Sequence, residues 1–251
     1  MQGSARSVGP SGARSSEKGR GVFPVGDENP TWYTPLVTRT LVVVNLIIFV
    51  FQILADPAFT LRWSFVPLEL TALLEGRGHP GVVVTVFTAM FLHGSLAHLV
   101  GNLLFLWIFG DNIEDQLGHV GYLIFYLLCG IAATITQYVT GPLSAIPNLG
   151  ASGAISGVLG AYMLLYPGAR VQVFIWPLSL FFGTVGVPAL IWLGVWFLMQ
   201  LFLGVQDLGR MAEGGVAFWA HVGGFVAGLA LILVMPRRRP PIRHPGETTW
   251  R

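Results

Sequence analysis

Apolar runs separated by short polar breaks organise this chain. The first run is Thr40–Ala55, with Arg39 at its edge able to snorkel. Asp56–Pro80 mixes Arg62, Glu69, Glu75 and Arg77 with Trp63, Phe65 and Leu68, the pattern of an interfacial loop with short helices. Val82–Phe109 is too long for one span and is interrupted at His93-Gly94-Ser95. Ser95 is a good N-cap, so a second transmembrane helix is predicted at Leu96–Asp111, after a shallow segment Val82–Leu92. A third helix follows at Gly121–Val139, then a loop without charge, Gly141–Leu149. The fourth helix, Ser152–Tyr166, stops at Pro167-Gly168. Arg170–Gly183 reads as interfacial, Thr184–Gly204 as the fifth helix and Val216–Met235 as the sixth. No internal repeat is evident. The pattern predicts an all-α membrane protein, a bundle of six transmembrane helices.

Composition supports the membrane reading. Only 10% of the 251 residues are charged and 53% are hydrophobic, against about 25% charged in soluble domains. Residues 1–37 are rich in Gly, Ser, Pro, Arg and Lys without apolar periodicity and are expected to be a disordered cytoplasmic tail. Residues 38–236 form the membrane domain, and 237–251 a basic cytoplasmic tail. No apolar stretch follows the first basic residues directly, so a cleaved signal peptide is not expected. Six crossings put both ends on one side. With the termini inside, only Arg62, Arg77 and Arg210 of the 14 Lys/Arg lie outside, as the positive-inside rule requires. The expected location is the cell membrane, specifically a bacterial cytoplasmic membrane, with both termini cytoplasmic. The lipid bilayer is the surrounding partner, and no nucleic acid is expected to bind. The single cysteine, Cys129, lies inside an apolar run and excludes a disulfide framework or a thiolate metal site. There is no H-E-x-x-H, and Asp111 at an inner edge is the one acidic residue in the spans, so neither metal nor cofactor is expected.

Polar side chains inside spans are costly and point to function. Three groups stand out: His98 with Asn102, Ser152, and His221. At 1.5 Å per residue and a core about 30 Å thick, they lie about 10, 9 and 7 Å below the outer surface, in one layer. His98 and Asn102, four apart, share a helix face, although a histidine bonded to a backbone carbonyl would look the same. Ser152 sits in Gly150-Ala151-Ser152-Gly153, where a loop becomes a helix and free amides could receive an oxyanion. The same glycines, Gly153 and Gly157, also suit close helix packing. Ala220, Gly224 and Gly228 form a matching stripe, and packing the two together would press His221 against Ser152. His93 is expected to brace the loop, and His79, His119 and His244 to be solvated or interfacial.

These residues resemble the rhomboid family of intramembrane serine proteases. The GxSG signature stands at Gly150–Gly153 and H-x-x-x-N at His98–Asn102, preceded by His93; E-x-x-x-G follows at Glu114–Gly118, and the last-helix motif at Ala220-His221-Val222-Gly223-Gly224. The resemblance covers about residues 38–236. It implies a rhomboid-like bundle that hydrolyses peptide bonds of single-span membrane proteins near the outer membrane boundary. Ser152 would be the nucleophile and His221 the general base, with His98, Asn102 and the Ser152 amide as the oxyanion hole. Two positions depart from the pattern. Ser156 stands where many members carry an aromatic residue that stacks on the histidine, which makes its hydroxyl a candidate to orient the imidazole. The first-loop Trp-Arg pair appears only reversed, as Arg62-Trp63. Two competing readings are a catalytically inactive rhomboid-like protein that binds or escorts membrane clients, disfavoured by the presence of both Ser152 and His221, and a small transporter, disfavoured by the off-centre polar layer and the lack of an inverted repeat.

Overall fold

The computed structural model describes residues 22–56, 58–208 and 217–238. It is a helical bundle capped at one end by a small sheet. Helix α1 is Leu36–Leu54, followed by short α2 (Ala58–Trp63), α3 (Pro67–Leu74) and α4 (Val82–Thr88), then one 3-10 turn, Ala89–Phe91. Helix α5 runs Leu96–Thr140, and α6 runs Ser152–Leu165. Strand β1 (Val22–Asp27) precedes α1, and β2 (Arg170–Ile175), α7 (Ser179–Phe182) and β3 (Val185–Pro188) lie between α6 and α8 (Ala189–Asp207). Helix α9 is Phe218–Val234. Helices α1, α5 and α8 are long and apolar enough to cross a membrane, and α6 and α9 are shorter apolar helices.

The helical bundle agrees with the hydrophobic pattern; several boundaries do not. The second and third predicted helices join into α5, broken only at Gly118, where φ is 70° and ψ 167°. The expected loop there is helix because its polar residues are satisfied from outside. Glu114 accepts from the amides of Val37 and Thr38, each at 2.8 Å, and from the Thr38 hydroxyl at 2.7 Å. Asp115 accepts from the amides of Trp32 and Tyr33. The buried Glu114 carboxyl thus caps the start of α1, where free amides and the helix dipole favour an anion. His119, read as solvated or interfacial, binds this same carboxyl through Nδ1 at 2.6 Å.

Residues 22–37, which the sequence assigns to a disordered tail, are ordered. Strand β1 pairs antiparallel with β2, Val22 opposite Ile175 and Asp27 opposite Val171, with a bulge between Pro24 and Gly26. Residues 1–21 lie outside the described residues, as do Val216 of the predicted sixth helix, His244 and the tail from 239. The predicted fifth helix begins later than Thr184 because Val185–Pro188 pairs with β2 as β3; β-branched Val185 and Val187 suit the ladder.

Helices α6 and α9 approach at backbone distance. A Cβ on Gly224 would lie 1.9 Å from the Gly153 carbonyl oxygen, and one on Gly228 would lie 2.0 Å from that of Gly157. Only glycine permits this contact, which brings the start of α9 beside the start of α6.

Candidate functional site

Ser152 is the first residue of α6. The loop before it is held by a bridge between Phe65 and Asn148 and by the Gly150 amide donating to the Ala89 carbonyl at 2.8 Å. Gly150 has φ +129°, a conformation that L side chains rarely adopt, and a Cβ there would strike the His98 ring at 2.8 Å. Its missing side chain lets His98 stand over the approach to Ser152.

His221, almost fully buried in the first turn of α9, has Nε2 2.8 Å from the Ser152 hydroxyl. Its other nitrogen, Nδ1, lies 2.9 Å from the Gln200 side-chain oxygen on α8. An amide oxygen only accepts, so Nδ1 carries the proton and Nε2 is left to accept from the serine. Gln200 is itself buried. The Trp196 ring, one turn earlier on α8, lies 5.9 Å from the imidazole. Gln137 of α5 fixes the entry of α9 by accepting from the Ala220 amide at 3.1 Å. Neither Gln200 nor Gln137 belongs to a motif; an uncharged polar residue in an apolar run was the available signal.

Asn102 and His98 face the same cavity as Ser152, Gln200 and His221, a space of about 560 Å³. The Asn102 side-chain nitrogen is buried with no hydrogen-bond partner among the described residues. Ser95 caps the start of α5, its hydroxyl accepting from the His98 amide at 3.1 Å. The loop at residue 93 is braced by Gln52 rather than by the His93 side chain: Gln52 accepts from the His93 amide at 2.9 Å and donates to its carbonyl at 3.2 Å. Both ring nitrogens of His93 are buried without a hydrogen-bond partner among the described residues, and its ring meets that of His98 edge-on at 5.2 Å. No group of three or more potential metal ligands occurs among the described residues.

A family model described as Rhomboid domain matches residues 80–238. The chain belongs to the rhomboid family. Rhomboid protein 1, mitochondrial, of Saccharomyces cerevisiae is 29% identical over 172 residues, covering 66% of this chain and 45% of the relative. Presenilin-associated rhomboid-like protein A, mitochondrial, of Danio rerio is 32% identical over 166 residues, 62% of this chain and 40% of the relative. Rhomboid protease GluP of Bacillus subtilis is 35% identical over 154 residues, 61% of this chain and 26% of the relative. The matched stretch thus spans less than half of each relative. These relatives include mitochondrial proteins as well as a bacterial one, so similarity alone does not mark the chain as a bacterial type.

Within this rhomboid, Ser156 does not orient the histidine. Its hydroxyl donates to the Ser152 carbonyl at 2.6 Å, inside its own helix. The orienting acceptor and the neighbouring aromatic ring both come from α8. Arg62 and Trp63 lie in α2 and do not line the cavity that holds Ser152 and His221.

Proposed function

We propose that this rhomboid is an intramembrane serine endopeptidase that cuts single-span membrane proteins near the bilayer boundary on the Ser152 side. The observation that carries the reading is the 2.8 Å contact between Ser152 Oγ and His221 Nε2 in a cavity-lining position. Substrate peptide enters the cavity, and Ser152 Oγ attacks the scissile carbonyl as His221 Nε2 takes its proton. The oxyanion is received by the Ser152 amide, which as the first residue of α6 has no intrahelical acceptor, and by Asn102 and His98. The unpaired Asn102 nitrogen supports that role. The imidazolium then protonates the leaving amine, and a water activated by His221 releases the acyl group by the reverse route. Gln200 takes the place an acidic residue holds in a triad: it keeps the proton on Nδ1.

The same reading has six crossings, with α5 counted twice across its break at Gly118, and residues 38–236 as the catalytic domain. Both termini face the cytoplasm of a bacterial cell, supported by the excess of Lys/Arg on that side. The test is cleavage of a single-span substrate by purified protein in liposomes, with fluorophosphonate labelling of Ser152 alongside. Product formation lost in Ser152→Ala and labelling lost in His221→Ala support the protease. A well-folded parent that binds the substrate yet never cuts or labels would favour the client-binding alternative.

A further inference from the structure

The hairpin between α6 and α8 has no task in the catalytic reading, and its surface is unusual. No Asp, Glu, Lys or Arg occurs from Val171 to Gln206. Strands and turns facing water ordinarily carry charge, especially at sheet edges. Here the tip exposes Trp176, Leu178, Leu180, Phe181 and Phe182, the two phenylalanines at 78% and 79%.

Three observations say what covers this tip. First, the sheet is packed on the bundle: Val171 and Val173 of β2 are buried in the same core as Phe109, Tyr162 and Leu193. With these alternate residues of β2 held in the core, the part of the hairpin left uncovered is its tip. Second, the hairpin base is continuous with a lipid-facing helix. The Ala189 amide donates to the Ala169 carbonyl at 2.8 Å, and Leu190 and Ile191 directly after it are exposed on α8. Third, several backbone amides of the tip are bonded within the tip itself. The amides of Leu180, Phe181, Phe182 and Gly183 donate within residues 177–179 at 3.1 Å, and Ser179 Oγ accepts from the Ile175 amide at 2.8 Å. Backbone entering lipid must meet its own hydrogen bonds, and aromatic residues collect at the interface.

We propose that residues 176–182 form an interfacial anchor, inserted among the phospholipids of the leaflet at the α6 C-terminal end. It fastens the start of α8, the helix that carries Trp196 and Gln200.

The test uses the full chain in vesicles of phosphatidylcholine with a minority of phosphatidylglycerol. Phe182→Cys is labelled with an environment-sensitive fluorophore, with Glu28→Cys, an exposed charged position just past the end of β1, as the reference. Cys129 is fully buried and is replaced by Ala in a parallel set, so that the result does not depend on one background. The expected result at position 182 is a blue-shifted emission, several-fold stronger quenching by a lipid spin-labelled high on the acyl chain, and several-fold weaker quenching by iodide than at position 28. Phe181→Ser in the labelled protein should reverse part of that protection while Ser152 labelling persists. Iodide quenching at 182 equal to that at 28 would overturn the proposal. Protection from iodide without quenching by spin-labelled lipid would overturn it as well, since a protein surface would then be covering the tip.

Discussion

Replacing Gln200 with Leu removes an acceptor while keeping a buried side chain of similar size. His221 Nδ1–H, 2.9 Å from the Gln200 oxygen, then has no partner in a site where both residues are buried. Leaving a buried donor unsatisfied costs about 1–3 kcal/mol. The imidazole can escape by moving its proton to Nε2, but in that tautomer it no longer accepts from Ser152. Either way the base is worse, and about 1–3 kcal/mol in the barrier is roughly a 5- to 150-fold loss of rate. The loss should fall on kcat with KM little changed, because Gln200 acts through His221. Fluorophosphonate labelling of Ser152 should slow in parallel. Gln200→Glu keeps an acceptor on the same stem and should recover most of the lost rate. Steady-state cleavage in liposomes gives kcat and KM, timed fluorophosphonate labelling gives the reactivity of Ser152, and thermal unfolding controls for folding. A Gln200→Leu enzyme as fast as the parent, or a Gln200→Glu enzyme no better than the Leu variant, would refute the assignment.

Gly224→Ala places a methyl 1.9 Å from the Gly153 carbonyl oxygen. It should destabilise by about 1–3 kcal/mol and cut activity by parting Ser152 from His221, whereas Gly194→Ala, with open space around it, should do neither; equal unfolding temperatures would count against backbone packing as the alignment device. Asp27 on β1 has its carboxyl raised from 3.8 to about 6, chiefly by burial, with the Tyr162 hydroxyl bond opposing and the Asp111 charge adding. The fold then holds that proton more tightly than the unfolded chain does, so this contribution to stability is full below the ordinary value and is lost as pH rises through about 6. Asp27→Asn should flatten the fall in unfolding temperature across that window, and unchanged slopes would show that Asp27 does not set it. For orientation, cysteines at Glu75 and Gln206 should react with a membrane-impermeant thiol reagent on intact cells, and one at Glu28 only after lysis; the opposite pattern would put the Ser152 end on the inner face.

The motif residues were legible in the sequence because each is a polar exception in an apolar run. Ser152, His98, Asn102 and His221 could even be placed in one layer, since helical rise alone fixes depth along a span. The glycine stripes were legible too, because spacing along a helix determines which residues share a face. By contrast, the partner of His221 Nδ1 depends on how α8 leans on α9. No spacing connects Gln200 to His221 until the two helices are packed, and so the nearby Ser156 looked like the better candidate. The order of residues 22–37 was hidden for the same reason. The segment mixes apolar and polar residues with three prolines and shows no helical periodicity, and it becomes ordered here because β2 offers a free edge and Glu114 and Asp115 offer carboxylates to its amides. Sequence determined which residues could enter the membrane and which were too costly to be there without purpose. Tertiary packing decided which of those polar groups meet, because hydrogen bonds act over about 3 Å and helix positions are set to that precision only by contact.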